Sequence, residues 1–484
     1  MFDSKVNQKY FSLSALFILL VTIFVSLNAA DDSQSFTVAL TGKYPPFSFY
    51  SSQGELTGFD VDVAKKIADY LDYDMTIVAT EWDGILAGLL SGKYDAIIGS
   101  MAITPERKKM VHFSDVYYVS GAQLFVHAKN KDQIKNIKDL KDCRVGVGLG
   151  ETYEHYIRST YPDVETVTYK STVDIFQDME NGRLDGFVTD RLVGLYQIKR
   201  GGLDFVPAGS FLYREEMGIP VRMEEKGLLQ KMNHALQKMQ VTGEMDQLHA
   251  KWFGDSIGQS VHSTRMTWTV QLRMLGRGFI ITLGVAFLAL VIGFIIALPW
   301  GIVLHNPKFV GYILLRFFND FIRGTPLLIQ LFFVYFGAPQ IGVTLSPIES
   351  AVLALSMSCA AYMAEAIRSG LMAVDPGQQL AGRALALSRL QVFRFIVWPQ
   401  AFRVAMPSLM NIVVAFIKDT ALISIISVAE VVREAQSIIS VTYNPIRYYF
   451  IVGLMFFLIT FPLMKVAGHL ERRIRQRGFV HDSN

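Results

Sequence analysis

Phe279-Ile-Ile-Thr-Leu-Gly-Val-Ala-Phe-Leu-Ala-Leu-Val-Ile-Gly-Phe-Ile-Ile-Ala-Leu298 runs without a charged residue. At about 1.5 Å per helical residue it is long enough to cross the hydrocarbon core of a bilayer, about 30 Å thick. The run continues to about residue 304, and similar apolar stretches follow at 327–344, 348–367, 404–428 and 448–467. Five membrane spans are therefore expected. Upstream, residues 36–254 have the mixed composition of a soluble domain, so the chain changes solvent near Gly254.

The bulk numbers agree. The chain has 484 residues, 51% of them hydrophobic, and a mean hydropathy of +0.30. That is too apolar for an ordinary soluble protein. A net charge of +3 is small for this length, and the basic residues crowd the apolar runs, which argues against a nucleic-acid partner. Two cysteines, Cys143 and Cys359, exclude a disulfide framework. Lys5 and Lys9 precede an apolar stretch at 13–27 and then Asn28, Ala29 and Ala30, so residues 1–30 read as a signal peptide or signal anchor that exports the soluble half behind it. Arg383, Arg389, Arg394 and Arg403 lie between the third and fourth spans, and Arg472, Arg473, Arg475 and Arg477 follow the fifth. Both segments, the C-terminus included, are expected to be cytoplasmic, and the soluble half outside. Arg265, Arg273 and Arg277 run against that rule, and residues 267–275 are read as an interfacial amphipathic segment within a linker at 255–277.

Between the third and fourth spans stands Glu365-Ala-Ile-Arg-Ser-Gly-Leu-Met-Ala-Val-Asp-Pro-Gly-Gln-Gln-Leu-Ala-Gly-Arg-Ala-Leu-Ala-Leu-Ser-Arg389, then Ile396-Val-Trp-Pro-Gln-Ala401. It resembles the coupling loop of ABC importer permeases of the polar amino-acid uptake branch. Arg323-Gly-Thr-Pro-Leu-Leu-Ile-Gln330, Lys418-Asp-Thr-Ala-Leu422 and Leu470-Glu-Arg-Arg473 extend the resemblance. It implies that Gly377, Gln378, Leu380, Ala381, Gly382, Ala386 and Pro399 form a loop that docks in a groove of an ATPase, with residues 378–388 of helix-forming composition. The chain departs from the family pattern by carrying Leu380 for a Glu, Gly382 for an Ala and Ala386 for a Gly. Lys418 and Asp419 sit inside the fourth apolar run, where a lone charge is costly, and are expected to face the bundle interior, as a buried pair or on the substrate pathway. Arg316, Asp320 and Arg323 are expected to position the cytoplasmic end of the second span. No Gly-x-x-x-x-Gly-Lys-Ser/Thr loop occurs, so ATP hydrolysis is assigned to a separate subunit. The family implies a permease dimer, here a homodimer, surrounded by membrane lipid.

In the soluble half, strand-like runs at 36–40, 75–78, 96–98, 122–126, 144–147 and 186–189 alternate with amphipathic stretches, which predicts α/β lobes with mainly parallel sheets. Tyr44-Pro-Pro-Phe47, Gly58-Phe-Asp-Val-Asp-Val-Ala64, Trp82-Asp-Gly-Ile85, Gly92-Lys-Tyr-Asp95, Ile103-Thr-Pro-Glu-Arg107, Phe113-Ser-Asp115 and Lys251-Trp-Phe253 resemble extracytoplasmic solute-binding proteins of family 3 type, for polar amino acids. The resemblance implies the two-lobed α/β periplasmic-binding-protein fold of type II at 31–254, with lobe 1 at about 36–126 and 209–254 and lobe 2 at about 127–205. An all-α domain of five transmembrane helices, the permease of a type I ABC importer, would follow at 278–473, with a cytoplasmic tail at 474–484. The chain would cross between lobes near 125–127 and 205–209 and close by a hinge.

A free amino acid needs cationic donors for its carboxylate and an acidic acceptor for its ammonium. The resemblance assigns the first role to Arg107, in a first helical turn capped by Thr104 with Pro105 behind it. Ser100 and Thr152 match further carboxylate contacts. Asp190 matches the ammonium acceptor, with a helix N-cap as the lesser alternative. Tyr44 and Trp82 match aromatic positions that hold the ligand side chain. Ala102 replaces a hydroxyl residue and Thr41 an acidic one, leaving Glu81 and Glu151 to supply charge. The expected function is capture of a polar amino acid, cationic ones included, and its passage through the bacterial inner membrane, without enzymatic chemistry, metal or cofactor. A ligand-gated channel or amino-acid sensor on the same fold is the alternative, though there the pore interrupts the lobes.

Overall fold

β1 (Ser35–Leu40) enters the structure as a buried strand because its apolar residues contact helices on both faces of a sheet. This computed structural model describes residues 35–253, 266–442 and 444–476; the signal segment, residues 255–265 of the expected linker and the end of the tail lie outside them. The first half contains β2 (Phe49–Tyr50), β3 (Leu56–Thr57), α1 (Phe59–Leu71), β4 (Asp74–Ala79), α2 (Trp82–Leu90), β5 (Ala96–Ile97), α3 (Pro105–Lys108), β6 (His112–Phe113), β7 (Tyr118–His127) and β8 (Arg144–Gly148). It continues with α4 (Thr152–Thr160), β9 (Glu165–Tyr169), α5 (Thr172–Glu180), β10 (Gly186–Asp190), α6 (Arg191–Gly201), β11 (Phe205–Met217), β12 (Pro220–Val221), α7 (Lys226–Val241) and α8 (Glu244–Phe253).

Two sheets result, in the orders β4-β1-β5-β12-β6 and β11-β7-β10-β8-β9. Each is mixed rather than mainly parallel. β1 runs parallel to β4 and β5, but β12 pairs antiparallel with β5 and β6. β8 runs parallel to β9 and β10, but β7 pairs antiparallel with β10 and β11. The odd strand of each sheet is the one beside a lobe crossing, β12 in the first sheet and β7 in the second. The crossings also move from their expected places. β7 and β11 pair with each other from Tyr118 opposite Met217 to His127 opposite Phe205, interrupted by a bulge, so both belong to the second sheet. The chain passes between lobes at about 114–117 and 218–219.

The second half comprises α9 (Trp268–His305), α10 (Tyr312–Gly324), α11 (Leu327–Phe332), α12 (Pro347–Met372), α13 (Pro376–Ala384), α14 (Arg389–Val392), α15 (Trp398–Asp419), α16 (Val431–Thr442) and α17 (Pro445–Gln476). Among the described residues, four stretches are long and apolar enough to cross a membrane: Trp268–His305, Pro347–Met372, Arg389–Ile426 and Pro445–Ile474. The run expected as a span at 327–344 is instead short and broken. With α10 it forms a pair, Tyr312–Gly324 and Leu327–Ile341, bent by 108°. Pro326 supplies the physical reason, since it lacks an amide proton and disfavours helix at the residue before it.

The expected interfacial segment at 267–275 is not separate either. It is the first part of α9: Thr267 caps the helix, while Gln271 donates to Met266 O at 2.7 Å and accepts from Tyr448 Oη at 2.8 Å. Met274 and Leu275 are buried, which leaves Arg273 and Arg277 on the exposed side of a continuous helix. The bundle is held by close backbone approach: a Cβ on Gly370 would lie 2.4 Å from Ala401 O and one on Gly301 2.8 Å from Ala364 O, so α9, α12 and α15 meet through small residues. Arg316, Arg323 and Arg368 converge on Glu365 at 3.3, 3.8 and 2.5 Å, and Arg316 also meets Asp320 at 2.9 Å.

Candidate functional site

A cleft opens between the two lobes, lined from both of them. Trp82 and Asp83 of α2 reach across it: Trp82 Nε1 donates to Gly150 O at 3.4 Å and Asp83 meets Lys170 at 3.4 Å. Tyr44, Trp82, Ser100, Arg107 and Thr152 line this space. Thr104 works from behind: its Oγ1 accepts the Arg107 N–H at 3.2 Å and caps α3. Arg107 Nη1 donates to Ala102 O at 3.0 Å and its guanidinium lies 5.6 Å from the centre of the Trp82 ring, so the cation is held in place before any ligand arrives. Burial lowers its pKa, offset by the carboxylates of Glu215 and Glu151.

Two expected contacts are spent on the protein itself. Ser100 Oγ donates to Asp60 Oδ2 at 2.9 Å, and Tyr117 Oη donates to Oδ1 at 2.8 Å while accepting the Ser100 N–H. The Ser100 hydroxyl therefore orders the cleft wall by donating to the Asp60 carboxylate rather than to a ligand. Burial raises the Asp60 pKa to about 7 against these two hydrogen bonds. Asp190 caps α6: its Oδ1 accepts the N–H groups of Leu192 at 2.7 Å and Val193 at 3.3 Å, the helix cap that its sequence context also allows. It is 1% exposed, and burial raises its pKa to about 6.

The acids that do line the cleft are Glu81, Glu151 and Glu215. Glu151 folds back over Gly148, where a side chain would leave it no room. Burial raises its pKa to about 8, helped by the charges of Glu215 and Asp190 and opposed by Arg107. Burial raises the pKa of Glu215 on β11, opposed in part by its polar neighbours and the Arg107 charge. Sequence reading misses it, because its only signal is its place on the strand before the second lobe crossing. Glu81 differs from both. Burial pushes its carboxyl up, but Lys43 and Arg433 outweigh that and hold it below the ordinary carboxylate range.

On the permease half, Asp375 caps α13, with Oδ1 accepting the Gly377 N–H at 2.6 Å. Gly377, Gln378, Leu380, Ala381, Ala386 and Pro399 are exposed, Leu380 to 65%, whereas Gly382 is buried against Val392 and Ile396. The helix is shorter than the expected 378–388, since Ala386 turns left-handed at φ 57° and ends it. Lys418 and Asp419 correct the sequence reading: Lys418 is exposed and Asp419 half-buried at the last turn of α15, so neither is enclosed by this chain's own bundle. The helix rotates past the bundle seam there, after Phe416 and Ile417.

A solute-binding cleft joined to an apolar helical domain defines a receptor–permease fusion, and the comparisons agree. Residues 36–255 match the family of bacterial extracellular solute-binding proteins, family 3, and residues 297–476 match the inner membrane component of binding-protein-dependent transport systems. The chain is 38% identical over 231 residues to the L-cystine-binding protein TcyJ of Escherichia coli K12, covering 48% of this chain and 87% of that one. It is 33% identical to ABC transporter arginine-binding protein 1 of the same organism, covering 46% and 93%. The second half is 37% identical to the nopaline transport system permease protein NocM of Agrobacterium fabrum, covering 38% and 81%. The chain belongs to the polar amino-acid ABC importers, with a solute-binding domain of family 3 fused to a permease domain. Its permease domain lies in the inner membrane and its binding domain on the outer side.

Proposed function

We propose that this chain captures an amino acid with a cationic side chain outside the membrane and passes it through its own permease domain, powered by ATP hydrolysis on a separate subunit. The observation that carries the ligand class is the charge in the cleft. Arg107 is the cation free of a carboxylate partner at salt-bridge distance among the described lining residues, and it faces Glu151 and Glu215, while Glu81 is already paired. Arg107 takes the ligand carboxylate; Glu151 and Glu215, with Asp190 behind them, supply acceptors for two positive groups. Trp82 and Tyr44 flank an extended side chain. Relatives named for arginine and nopaline support the same chemistry.

In this reading residues 31–254 are the receptor and 278–473 the permease, with five crossings when the bent pair counts as one and a cytoplasmic C-terminus. Two copies pair around one pathway, which places Lys418 and Asp419 toward the second copy. The exposed 377–386 loop docks on the ATPase. Thermal shift of the full chain with L-arginine, L-lysine, L-glutamine and L-cystine tests the ligand class: the first two raise the midpoint most, and no response to any of them would sink it. Uptake by proteoliposomes with and without a partner ATPase separates an importer from a channel or sensor, which would need no nucleotide.

One observation favours a second ligand. A carboxyl at Glu151 that keeps its proton at neutral pH can donate to a second ligand carboxylate, as L-cystine would present, and a cystine-binding relative is among the matches.

A further inference from the structure

Glu81 belongs to two surfaces at once. It lines the cleft at the first turn of α2, and its Oε1 lies 2.6 Å from Lys43 Nζ and 2.7 Å from Nη1 of Arg433, which stands on α16 of the permease half. Lys43 Nζ also donates to Gln436 Oε1, on the same helix, at 2.9 Å. Arg433 is 4% exposed; its backbone N–H donates to Glu430 Oε1 at 2.8 Å and its Nη1 reaches Ser424 O at 3.5 Å, so the guanidinium is delivered to the receptor by a rigid support. Glu434 and Glu430 flank it on the permease side, and Lys170 and Asp174 face the group from lobe 2. The contact involves both lobes, since Tyr50 of lobe 1 and Val173 of lobe 2 pack into one cluster with Met274, Ile438 and Tyr448.

A Lys43–Glu81 pair alone is neutral. With Arg433 seated, a second cation shares Glu81 Oε1 with Lys43, and the guanidinium's charge is added to this wall of the cleft. We propose that Arg433 is the residue through which the docked permease loosens the receptor's hold on a cationic ligand, by occupying Glu81 and placing a like charge beside the ligand side chain. This rests on the cationic-ligand reading. Arg433 touches the ligand only through Glu81, so it positions charge at the site and takes no direct part in binding. At a separation of about 8 Å and an intermediate effective dielectric, one unit charge is worth about tenfold in affinity.

The test uses the full chain in lipid nanodiscs without nucleotide, as wild type, Arg433→Gln and Arg433→Lys. Binding of radiolabelled L-arginine is measured directly, and binding of L-citrulline, its neutral analogue of the same shape, by competition. The Gln variant is expected to bind arginine about tenfold more tightly with citrulline unchanged, and the Lys variant to resemble wild type. In proteoliposomes with the ATPase, the Gln variant should lower both KM and kcat for arginine, and Lys should restore both. Arginine affinity unchanged in the Gln variant would overturn the proposal, as would equal tightening for both ligands, which would report loss of docking rather than of charge. Failure of the wild type to bind either ligand would overturn the ligand reading, and this inference with it.

Discussion

Arg107 shows how much one side chain can decide. Its guanidinium is held by Ala102 O and the Trp82 face, so in the proposed role it would meet a ligand carboxylate without reorganising. Arg107→Ala should lower ligand affinity by about a hundredfold or more, consistent with truncating one partner of a buried charge pair, measured by isothermal titration on the full chain. Arg107→Lys should recover only part of it, because an ammonium cannot offer the bidentate fork. Glu151 supplies a sharper test. Its folded pKa of about 8 means that in the empty cleft it is mostly protonated at neutral pH, with Glu215, Asp190 and Arg107 as the charges that face it. A cationic side chain needs it ionised, so affinity for L-arginine should rise with pH up to about 8, by at most tenfold per unit, and then level off; Glu151→Gln should abolish that slope. For L-cystine the sign reverses, since the carboxyl would have to donate its proton. A Kd against pH series with both ligands distinguishes them.

At the scale of elements, helix α13, proposed to dock on the ATPase, owes its end to Ala386. The Leu387 N–H reaches Gly382 O at 3.2 Å and the Ala386 N–H reaches Arg383 O at 2.9 Å, the Schellman pattern that places residue 386 in the left-handed region. Glycine does this without the Cβ clash, worth about 1 kcal/mol. Ala386→Gly should therefore stabilise the turn by about that amount and slow amide exchange at Leu387 by about fivefold. Gly382 compensates in the opposite sense: a Cβ there would lie 2.7 Å from Ile396 Cδ1, so the missing methyl lets α13 pack against the segment after α14. Leu380 and Leu385 are 65% and 76% exposed, an apolar face that an ATPase subunit would cover. Leu380→Glu should change ATP-driven uptake while leaving arginine binding untouched, because the loop and the cleft lie in different halves. These departures are legible in the sequence as substitutions, but their sense comes from the backbone, which shows one as strained and the other as fitted.

For the molecule as a whole, the joining of receptor and permease fixes their ratio. The linker from 255 to 268 can reach at most about 45 Å and as a coil about 20 Å, which keeps the local receptor concentration in the millimolar range. Uptake should then be insensitive to added free receptor domain; stimulation by it would mean that delivery does not run through the tethered copy. The seated arrangement extends beyond Glu81: Lys93 donates to Leu345 O at 2.5 Å and lies 4.3 Å from the Tyr335 ring centre, contacts that join lobe 1 to the broken α10–α11 region. Breaking that region into two bent pieces gives the permease an outer face on which the receptor rests.

The two solvents of the chain, the family motifs, the capped turn that presents Arg107 and the altered coupling loop are all readable along the sequence, because hydropathy, turn chemistry and short motifs depend on residues a few positions apart. The bend at Pro326 is visible as a proline, yet apolar length by itself reads the residues after it as a straight span, since length does not report direction. Which carboxylates face the cleft is a matter for the tertiary structure. Asp190 turns to cap α6, Ser100 turns to Asp60, Glu215 arrives from a returning strand, and Glu81 finds its second cation at Arg433, 352 residues away. Charges in a buried site are set by whichever neighbours the fold brings within a few ångströms, and that proximity has no counterpart in sequence distance.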